Sequence, residues 1–455
     1  MNSPQHLNAV SDLASSAVTD ERKSRMSFQD RLLNVIPGGA HTYSRGYDQY
    51  PANAPQILTR GKGAYVFDAS GKRLLDYGMA LRAVNIGYSE DEIDAAAIRQ
   101  IHNGNNLTRP SLVELEAAEL LVSLIDSVDM VKFTKNGSTA VSAAVKLARA
   151  YNGRELIARC AEHPFFSYDD WFIGSTPLTR GIPQETIEKT KLFSYNNIVS
   201  LEDLIARYPK QISCVVLEAA ASEEPRDGYL QKVQKLCRSN GIVFILDEMI
   251  TGFRWHIKGA QHVYDVSPDL CTFGKAMANG FSVACVAGRR ELMELGSIEF
   301  DGRERVFLLS TTHGAEMSGL GAMVATIDFM RRNEVIEHLW SYGRRLMAMM
   351  QRKADAHGVS HSFRVDGVAC SPYYLTLDAN GTNSLPLRTL FSQEMIRNGV
   401  LMPWIALSYR HREEELAITE NAIDNSLRVY HRALQEGVEK YLVGPVIKPV
   451  FRKFN

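Results

Sequence analysis

An apolar run that ends abruptly in two acids most constrains what this chain of 455 residues can fold into. Residues Ile242–Leu246 are wholly apolar and rich in β-branched side chains, a pattern typical of a strand buried on both faces of a parallel sheet. Asp247 and Glu248 follow directly. Because ligands of open α/β sheets lie beyond the carboxyl ends of the strands, Asp247 is predicted to point into a site.

A lysine follows the next apolar stretch. Lys275 comes directly after Gly274 among small residues, so we expect it to be poorly hydrated and neutral more often than a surface lysine. A carboxylate and such a lysine suit pyridoxal 5'-phosphate (PLP), whose aldehyde forms a Schiff base with lysine and whose ring nitrogen stays protonated beside an acid. Acids after strands and lysines after glycines also occur at solvated surfaces, so these two residues alone leave both interpretations open.

The order of predicted elements indicates an α/β fold. Short apolar strands alternate with helical segments from Val131 to Val286, which predicts a mostly parallel sheet flanked by helices in a large domain. The last hundred residues mix helices with strands such as Tyr373–Leu377, which predicts a smaller α+β domain. A flexible arm and a segment that contributes to the small domain and the active site precede the large domain. In chain order, these four parts span residues 1–26, 27–95, 96–325 and 326–455.

Charge and cysteine content exclude several classes of partner. The formal net charge is −1, which gives no argument for binding nucleic acid or an anionic membrane surface. No apolar run approaches the length of a membrane span, and the polar N-terminus is not expected to be a signal peptide. The six cysteines are scattered without a Cys-x-x-Cys pair, so we expect a reducing, cytoplasmic compartment. No spacing of His, Cys and acidic residues predicts a metal site.

Two loops offer places for a phosphate. Lys135–Thr139 lies between a predicted strand and a predicted helix, where a glycine followed by hydroxyl residues presents free backbone N–H groups. The alternative is an ordinary helix cap made by Ser138 or Thr139. Ser310–Gly314 is a second hydroxyl-rich loop, with the same alternative. The aromatic cluster in Pro164–Trp171 can stack on a flat heterocycle or belong to the core.

In order and spacing, these pieces resemble a known family. The motif Asp247-Glu-Met-Ile-Thr-Gly-Phe-Arg254, followed by Pro268-Asp-Leu-x-x-x-Gly-Lys275, is highly specific for class III (fold type I) PLP-dependent aminotransferases. Within that family the chain looks most like the glutamate-1-semialdehyde 2,1-aminomutase branch, and the resemblance covers about residues 30–430. The resemblance implies that Lys275 is the Schiff-base lysine and that Asp247 is the partner of the pyridinium nitrogen.

The resemblance also assigns the rest of the cofactor and substrate sites. Met249 falls where a side chain packs on one face of the cofactor ring, and Phe165 falls at the aromatic residue of the other face. Arg45 falls where the aminomutase places its arginine for the substrate carboxylate. Thr311 falls where a threonine reaches the phosphate of the neighbouring subunit, which implies a homodimer with the active site at its interface. The remaining cofactor-binding positions are Asn136, Gly137, Ser138, Phe166 and Glu218.

Several positions depart from the aminomutase pattern and favour transfer of the amino group between two substrates. Leu81 stands where the aminomutase has a tryptophan over the substrate, and Pro403 stands in the segment that carries its site glutamate. Glu223 stands where several aminotransferases have a site glutamate, and we predict that it pairs with Arg45 until a dicarboxylate donor arrives. The predicted function is an aminotransferase that acts on an amino donor and a keto or aldehyde acceptor.

Three alternatives remain beside this function. An aminomutase or a racemase-like isomerase would use the same residues without exchange of substrates. A non-catalytic PLP-binding regulatory protein is disfavoured by the intact lysine, acid and phosphate loop. A nicotinamide-dependent dehydrogenase lacks its glycine fingerprint in this sequence.

Overall fold

A computed structural model of the chain describes residues 26–221 and 223–455, and within them thirteen strands form three sheets. The predicted arm, residues 1–26, lies outside the described residues except for Met26. In chain order the strands are β1 (Leu58–Lys62), β2 (Tyr65–Asp68), β3 (Arg73–Asp76), β4 (Met130–Thr134), β5 (Leu156–Cys160), β6 (Thr190–Phe193), β7 (Ile212–Glu218), β8 (Val243–Asp247), β9 (Leu270–Phe273), β10 (Ala284–Gly288), β11 (Phe363–Val368), β12 (Ser371–Thr376) and β13 (Val400–Leu401).

Ten helices of eight or more residues lie in the described ranges. They are α1 (Phe28–Val35), α2 (Asp91–His102), α3 (Leu112–Leu124), α4 (Gly137–Asn152), α5 (Ile198–Arg207), α6 (Tyr229–Asn240), α7 (Met317–Arg332), α8 (Val335–Ala356), α9 (Leu385–Arg397) and α10 (Glu413–Glu436). Shorter helical segments span Asp170–Ile173, Gln184–Ile187, Ala260–Val263 and Arg290–Met293, and 3-10 turns span Pro37–Gly39, Tyr43–Arg45, Tyr47–Gln49, Lys275–Ala278, Glu294–Gly296 and Val438–Lys440.

The largest sheet has the strand order β4-β10-β9-β8-β7-β5-β6. Strand β10 is antiparallel to both of its neighbours, whereas the pairs from β9 to β6 are parallel. This arrangement confirms the predicted mostly parallel sheet. Strand β8 includes Asp247 as its last residue, so the acid lies at the carboxyl edge, as the apolar run before it predicted.

The interior strands of this sheet are buried on both faces. In β8, Ile245 belongs to an apolar cluster with Val141 of α4, whereas Leu246 belongs to a second cluster with Met323 of α7. Every residue of β5, β7, β8, β9 and β10 is buried. Because helices cover both faces, side chains of these strands can meet a ligand only at the strand ends.

A smaller sheet joins the N-terminal segment to the C-terminal part of the chain. Strands β2 and β3 form the predicted hairpin, with Asp68 accepting hydrogen bonds from Ser70 and Lys72 at its turn. Strand β13 pairs in parallel with β3, so Val400 lies opposite Leu75. This pairing brings residues from both ends of the chain together, while the four-part division of the chain stays a prediction.

Helix α7 begins earlier than its apolar pattern indicates. The apolar pattern indicates a helix from Met323 to Met330, whereas the observed helix begins at Met317. Its first turns contain Gly319 and Gly321, which weakened the helical signal. A Cβ at Gly319 would lie 2.7 Å from the side chain of Val283, and one at Gly321 would lie 2.7 Å from Gln100. Tight packing against α2 and the segment before β10 therefore explains the glycines.

Three further features concern the cysteines, the helix compositions and the grouping of side chains that bind metals. All six cysteines are free thiols and are buried. None of the helices in the described ranges has the length and apolar character needed to cross a membrane. Within the same ranges, no group of three or more His, Cys, Asp or Glu side chains is arranged to hold a metal ion.

Candidate active site

The carboxyl ends of β7, β8 and β9 form the centre of the site. Glu218 and Asp247 lie opposite each other in the parallel register, and Thr272 lies opposite Asp247 on the other side. The carboxylate of Asp247 is buried, and its Oδ1 accepts hydrogen bonds from the backbone N–H of Met249 (2.9 Å) and from Thr272 Oγ1 (3.0 Å). These contacts fix the orientation of the carboxylate.

The other oxygen of Asp247, Oδ2, accepts no hydrogen bond from any group in residues 26–221 and 223–455. Burial raises the pKa of this carboxyl to about 6, and the charge of Lys275 opposes that rise. A buried carboxylate with one free oxygen is well suited to accept a hydrogen bond from a cationic N–H group.

Lys275 begins the 3-10 turn that follows β9. Its backbone is in the left-handed region with φ 44°, and its side chain is half-buried. Burial lowers the pKa of Lys275, while the charges of Asp247 and Glu218 oppose that effect. Gly274 must be a glycine here, because a Cβ at this position would lie 2.7 Å from Met249 Sδ. The lysine is thus held at the strand end with its amine next to two acids.

Glu218 is the second acid at this edge. Its pKa is raised to about 8, mainly by burial and also by the charge of Asp247, while the charges of Lys275 and Arg82 oppose the rise. The backbone N–H of Glu218 donates to Nδ1 of His163 at 2.9 Å, so the free nitrogen of that buried ring is Nε2. Burial lowers the pKa of His163 to about 3, so the imidazole is neutral at pH 7. A mostly protonated Glu218 leaves Asp247 as the dominant negative charge near Lys275.

The predicted phosphate loop lies at the N-terminus of α4. Asn136 is the N-cap, and its Oδ1 accepts from the backbone N–H of Thr139 at 2.9 Å. This corrects the expected cap by Ser138 or Thr139, because the helix begins at Gly137 and both hydroxyl residues already lie inside its first turn. The first N–H groups of a helix have no intrahelical partner, so Gly137 and Ser138 present theirs at the positive end of the helix dipole.

Met249 connects this helix end to the lysine. Its side chain is buried, and a Cβ at Gly137 would lie 2.8 Å from Met249 Sδ. The same sulfur lies against Gly274, directly before Lys275. Met249 therefore forms one wall between the helix N-terminus and the lysine.

The aromatic cluster divides into an exposed ring and a core ring. Phe165 is 47% exposed, and its ring packs edge-on against Phe172 at 5.6 Å. Phe166 is 2% exposed and packs against the other side of Phe172 at 5.7 Å. The ring of Phe166 thus belongs to the core, and its predicted contact with the cofactor stays a prediction. Phe165 retains the exposed face that stacking requires.

The predicted pair between Glu223 and Arg45 is not formed. Glu223 forms an ion pair with Arg226 at 3.1 Å and accepts from Asn196 at 3.2 Å. Arg45 is exposed at the end of a 3-10 turn, in a part of the chain far from Glu223 in sequence. The prediction was wrong because a nearer arginine, three residues along the chain, takes the carboxylate. Thr311 is exposed in a loop before α7.

Sequence reasoning missed an arginine beside this edge. Arg82 ends a turn, Met79–Arg82, whose residues all have positive φ. Its guanidinium forms no hydrogen bond in the described parts of the chain, and its Nε atom is enclosed. A single arginine in the otherwise apolar run Met79–Val84 was the available signal. The turn itself could not be read from the sequence, because none of its residues favours the left-handed region.

The arrangement fits PLP on the residues present. The free Oδ2 of Asp247 suits a protonated ring nitrogen, and the helix end at Gly137 suits a phosphate. Lys275 supplies an amine of lowered pKa, which is what covalent attachment to an aldehyde needs. Met249 lies between the helix end and the lysine, where a flat ring would bridge them.

Comparisons with known proteins agree with this arrangement. The family profile described as Aminotransferase class-III matches residues 46–434. The chain is 32% identical over 412 residues to the 3-aminobutyryl-CoA aminotransferase of Cloacimonas acidaminovorans (strain Evry), covering 88% of this chain and 96% of that protein. It is 27% identical over 421 residues to the glutamate-1-semialdehyde 2,1-aminomutase of Francisella philomiragia subsp. philomiragia, covering 87% and 96%.

A solved structure gives the same fold. The FumI protein of Sphingopyxis sp. MTA144, in its PLP internal aldimine form, superposes with a TM-score of 0.82 at 25% sequence identity. The match covers 90% of this chain and 97% of that one. The resemblance therefore extends over nearly the whole length of both chains.

Proposed function

The chain belongs to the class-III aminotransferase family of PLP-dependent enzymes, and on this premise we propose that it moves an amino group from an amino donor to a keto or aldehyde acceptor, with Lys275 as its catalytic lysine. The observation that carries this assignment is the pair of Lys275 and Asp247 at adjacent strand ends. The charge of Lys275 opposes the effect of burial on the pKa of Asp247, and the charge of Asp247 does the same for Lys275. The two groups are therefore close enough to act on the same ligand.

The roles of the individual residues follow from their contacts. Bound PLP supplies an electron sink for the carbon next to the substrate nitrogen. Lys275 would bind the cofactor covalently, and its Nζ, when free, would remove a proton from that carbon and return it as general acid. Asp247 Oδ2 would hold the ring nitrogen in its protonated form. The backbone N–H groups of Gly137 and Ser138 would hold the phosphate, while Asn136 supports them as the cap.

Two side chains would form the walls of the cofactor site. Met249, which lies between Gly137 and Gly274, would cover one face of the ring, and the exposed ring of Phe165 would cover the other. Glu218 lies beside Asp247 and, with a pKa of about 8, contributes a mostly neutral carboxyl that does not compete for the ring nitrogen's proton.

Transfer between two substrates is favoured over an intramolecular shift of the amine. An aminomutase must retain its intermediate between two half-reactions, so it benefits from a pocket that closes over the substrate. Leu81 offers less stacking area than an indole, and Pro403 cannot supply a carboxylate. The carbonyl oxygen of Pro403 is itself engaged by Arg388 Nη2 at 2.7 Å. These features support a ping-pong aminotransferase.

The active site is proposed to lie at the interface of a homodimer. The support is the segment before α7, which exposes Thr311 and, earlier in the same segment, two large apolar side chains. Ile298 and Phe307 are 79% and 66% exposed, which is unusual for such residues unless another surface covers them. On this proposal, Thr311 of one subunit reaches the phosphate in the other, and Arg45 binds a substrate carboxylate. The buried free thiols support a reducing, cytoplasmic location.

The dimer is testable by subunit complementation. Lys275→Ala and Thr311→Ala variants are each expected to lose activity, and mixing them after mild dissociation is expected to restore part of it. Restoration requires that one site of the mixed dimer has both native residues. A monomer by light scattering, or mixtures no more active than their components, would contradict the shared site.

The transfer reaction is tested with one substrate at a time. Given L-glutamate alone, the cofactor-loaded enzyme is expected to convert its cofactor to the amine form and release one equivalent of 2-oxoglutarate. Absorbance spectra follow the cofactor, and a coupled assay follows the product. The same assay with a panel of other amino donors tests whether the enzyme uses a donor other than L-glutamate. Isomerisation of glutamate-1-semialdehyde, with no conversion by any donor, would instead establish the aminomutase.

A further inference from the structure

Two arginines near the substrate side of Lys275 lack an acidic partner. Arg82 donates no side-chain hydrogen bond and has no carboxylate within 4.0 Å in the described part of the chain, although its Nε is shielded from solvent. Arg388, on α9, donates to the carbonyl of Pro403 at 2.7 Å and lies over the ring of Tyr374 at 4.7 Å. No described carboxylate forms an ion pair with Arg388 either. A buried N–H group of a charged side chain without a partner is costly, so the unpaired Nε of Arg82 points to a bound anion.

The turn that carries Arg82 is held in place by its surroundings. Asp76 accepts hydrogen bonds from the backbone N–H groups of Gly78 (2.7 Å) and Met79 (3.0 Å) and from the hydroxyl of Tyr88 (2.7 Å). From Met79 to Arg82, φ runs from 39° to 66°. Successive residues in this region are strained and persist only where the surroundings fix them, which is a mark of functional sites.

The far end of the turn is held by a second arginine and by an indole. Arg254 Nη2 donates to the carbonyl of Arg82 at 3.2 Å, and Trp404 Nε1 donates to the carbonyl of Gly78 at 3.0 Å. The guanidinium of Arg254 is therefore occupied by a hydrogen bond to the backbone of the turn. The guanidinium of Arg82 itself remains free to bind a ligand.

The segment after the turn is fixed to the lysine's own loop. Asn279, at the end of the 3-10 turn that Lys275 begins, accepts from the backbone N–H of Ile86 (3.0 Å) and donates to the carbonyl of Gly87 (2.9 Å). Burial lowers the pKa of Lys275, and the charge of Arg82 lowers it further. Arg82 is thus held beside the reacting lysine.

Arg388 approaches the same region from the C-terminal part of the chain. Its side chain lines a cavity of about 190 Å³ together with Tyr50 and Trp404. Arg388 donates to the carbonyl of Pro403, and the next residue, Trp404, donates to the start of the turn, so this short segment links Arg388 to the turn of Arg82. Burial lowers the pKa of Arg82, the charge of Glu218 opposes that effect, and the charge of Arg388 adds to it. The acid nearest to Arg82 in its electrostatic surroundings is Glu218, whose pKa of about 8 keeps it largely protonated at neutral pH.

We propose that Arg82 and Arg388 together bind a second anionic group of the substrate, a carboxylate or a phosphate, beyond the carboxylate assigned to Arg45. An anion between the two guanidinium groups removes their repulsion and satisfies donors that the protein leaves unpaired. The preferred substrates of this enzyme therefore carry two negative charges. This inference rests on the proposed aminotransferase function, because it assigns the specificity of that same site.

The experiment compares anions that differ in one charged group. Glutarate and butyrate, and phosphoglycolate and glycolate, are used as competitive ligands of the PLP-loaded enzyme, with dissociation constants from calorimetry. For wild type, the doubly charged member of at least one pair is expected to bind about 10- to 100-fold more tightly. The pair with the larger ratio tells a carboxylate subsite from a phosphate subsite.

The variants show whether the two arginines cause the preference. Arg82→Gln and Arg388→Gln are each expected to reduce the ratio to within about 3-fold, and Arg82→Lys to restore part of it. Arg364→Gln, an exposed arginine on β11, is the matched control and is expected to keep the wild-type ratio. A wild-type ratio near one, or a ratio unchanged by both arginine variants, overturns the proposal.

Two further readings separate this inference from the function it rests on. Melting temperatures of the variants identify a purely structural role, in which stability falls while the binding ratio is unchanged. Attachment of the cofactor to Lys275 is measured on the same samples by hydride reduction and peptide mapping. Absence of that attachment contradicts the proposed function, whereas attachment with no preference for the second anion contradicts only the assignment of Arg82 and Arg388.

Discussion

The strand-end side of the site and the turn side are built in opposite ways. At the strand ends, Asp247 and Lys275 offset each other's charges, and Glu218 beside them is mostly protonated. On the turn side, Arg82 and Arg388 come from segments about 300 residues apart and repel each other. In the first region the charges balance within the protein, whereas the two arginines of the second region have no ion-pair partner in the described residues.

This difference indicates which region carries out the reaction and which region selects the ligand. A charge-balanced acid and lysine can be assembled before any substrate arrives, because the reacting groups must be preorganised. A region that lacks a counter-charge is completed only by its ligand, so its residues decide which ligand binds. The predictions below test this separation, from the largest expected effect to the smallest.

Removing the lysine amine is expected to have the largest effect. Lys275→Ala should lower turnover by about 10⁴-fold or more, because both the covalent attachment and the proton transfer are lost. Hydride reduction followed by peptide mass mapping should find the cofactor adduct on Lys275 in wild type. Lys258→Ala, a surface lysine paired with Asp126, is the control and should retain both turnover and the adduct. An adduct on any other lysine would contradict the proposed role of Lys275.

Neutralising the buried acid is expected to be the next largest change. Asp247→Asn keeps the shape of the side chain but cannot hold the ring nitrogen protonated, so turnover should fall about 10²- to 10³-fold. The cofactor spectrum and the rate of the first half-reaction report the loss. Asp203→Asn, on the exposed face of α5, should leave both unchanged. Turnover of Asp247→Asn within a few-fold of wild type would refute the assigned role.

Removing the acid behind the turn should affect stability and ligand preference more than chemistry. Asp76→Ala removes the acceptor of three hydrogen bonds in a buried setting, so the free energy of unfolding should fall by about 2–4 kcal/mol. The preference for a doubly charged ligand should weaken, while the adduct on Lys275 persists. Asp68→Ala removes the same kind of cap from the exposed hairpin turn and should cost about 1 kcal/mol. Equal losses of unfolding free energy in the two variants would show that the hydrogen bonds of Asp76 stabilise the protein no more than those of Asp68.

The protonation of Glu218 gives the smallest and most pH-dependent effect. In the cofactor-free protein its pKa is raised by burial to about 8, so between about pH 4.5 and pH 8 the folded state holds a proton that the unfolded state has lost. Stability therefore falls as pH rises through that window. Glu218→Gln removes this penalty and should be more stable than wild type by roughly 2 kcal/mol at pH 9, but similar at pH 4.5.

Melting temperatures at the two pH values provide the measurement. Glu337→Gln, an exposed acid on α8, should differ from wild type by the same small amount at both. A Glu218→Gln variant that gains nothing at pH 9 would show that the folded protein ionises this group readily, and Glu218 would then be a counter-charge for Arg82.

Prediction from sequence was most accurate where a local pattern determines a local structure. The apolar run before Asp247 predicted its buried strand, and alternation with helices predicted the mostly parallel sheet. Because strand ends converge on one edge, the convergence of Asp247 and Lys275 followed from order alone. The family resemblance added the phosphate loop, which stays a prediction, and a helix begins at Gly137 within that loop.

Prediction failed where the choice among similar neighbours depended on packing. Phe165 and Phe166 are adjacent phenylalanines, and only the folded backbone decides which one faces the core. Glu223 had several arginines available, and the one three residues away was nearest. Asn136 became the cap because the helix starts one residue before the expected hydroxyl residues.

The sequence by itself determined the sheet, the acid at the end of β8 and the lysine after β9, because burial and periodicity act over a few residues. Only the tertiary structure decided that the segment of Pro403 and Trp404 links Arg388 to the turn of Arg82, and that Asp76 holds this left-handed turn in place. Long-range contacts of this kind leave no local pattern, because the residues that stabilise them are separated by hundreds of positions. The residues proposed for catalysis could therefore be predicted from the sequence, whereas the residues proposed to select the substrate could be identified only in the folded structure.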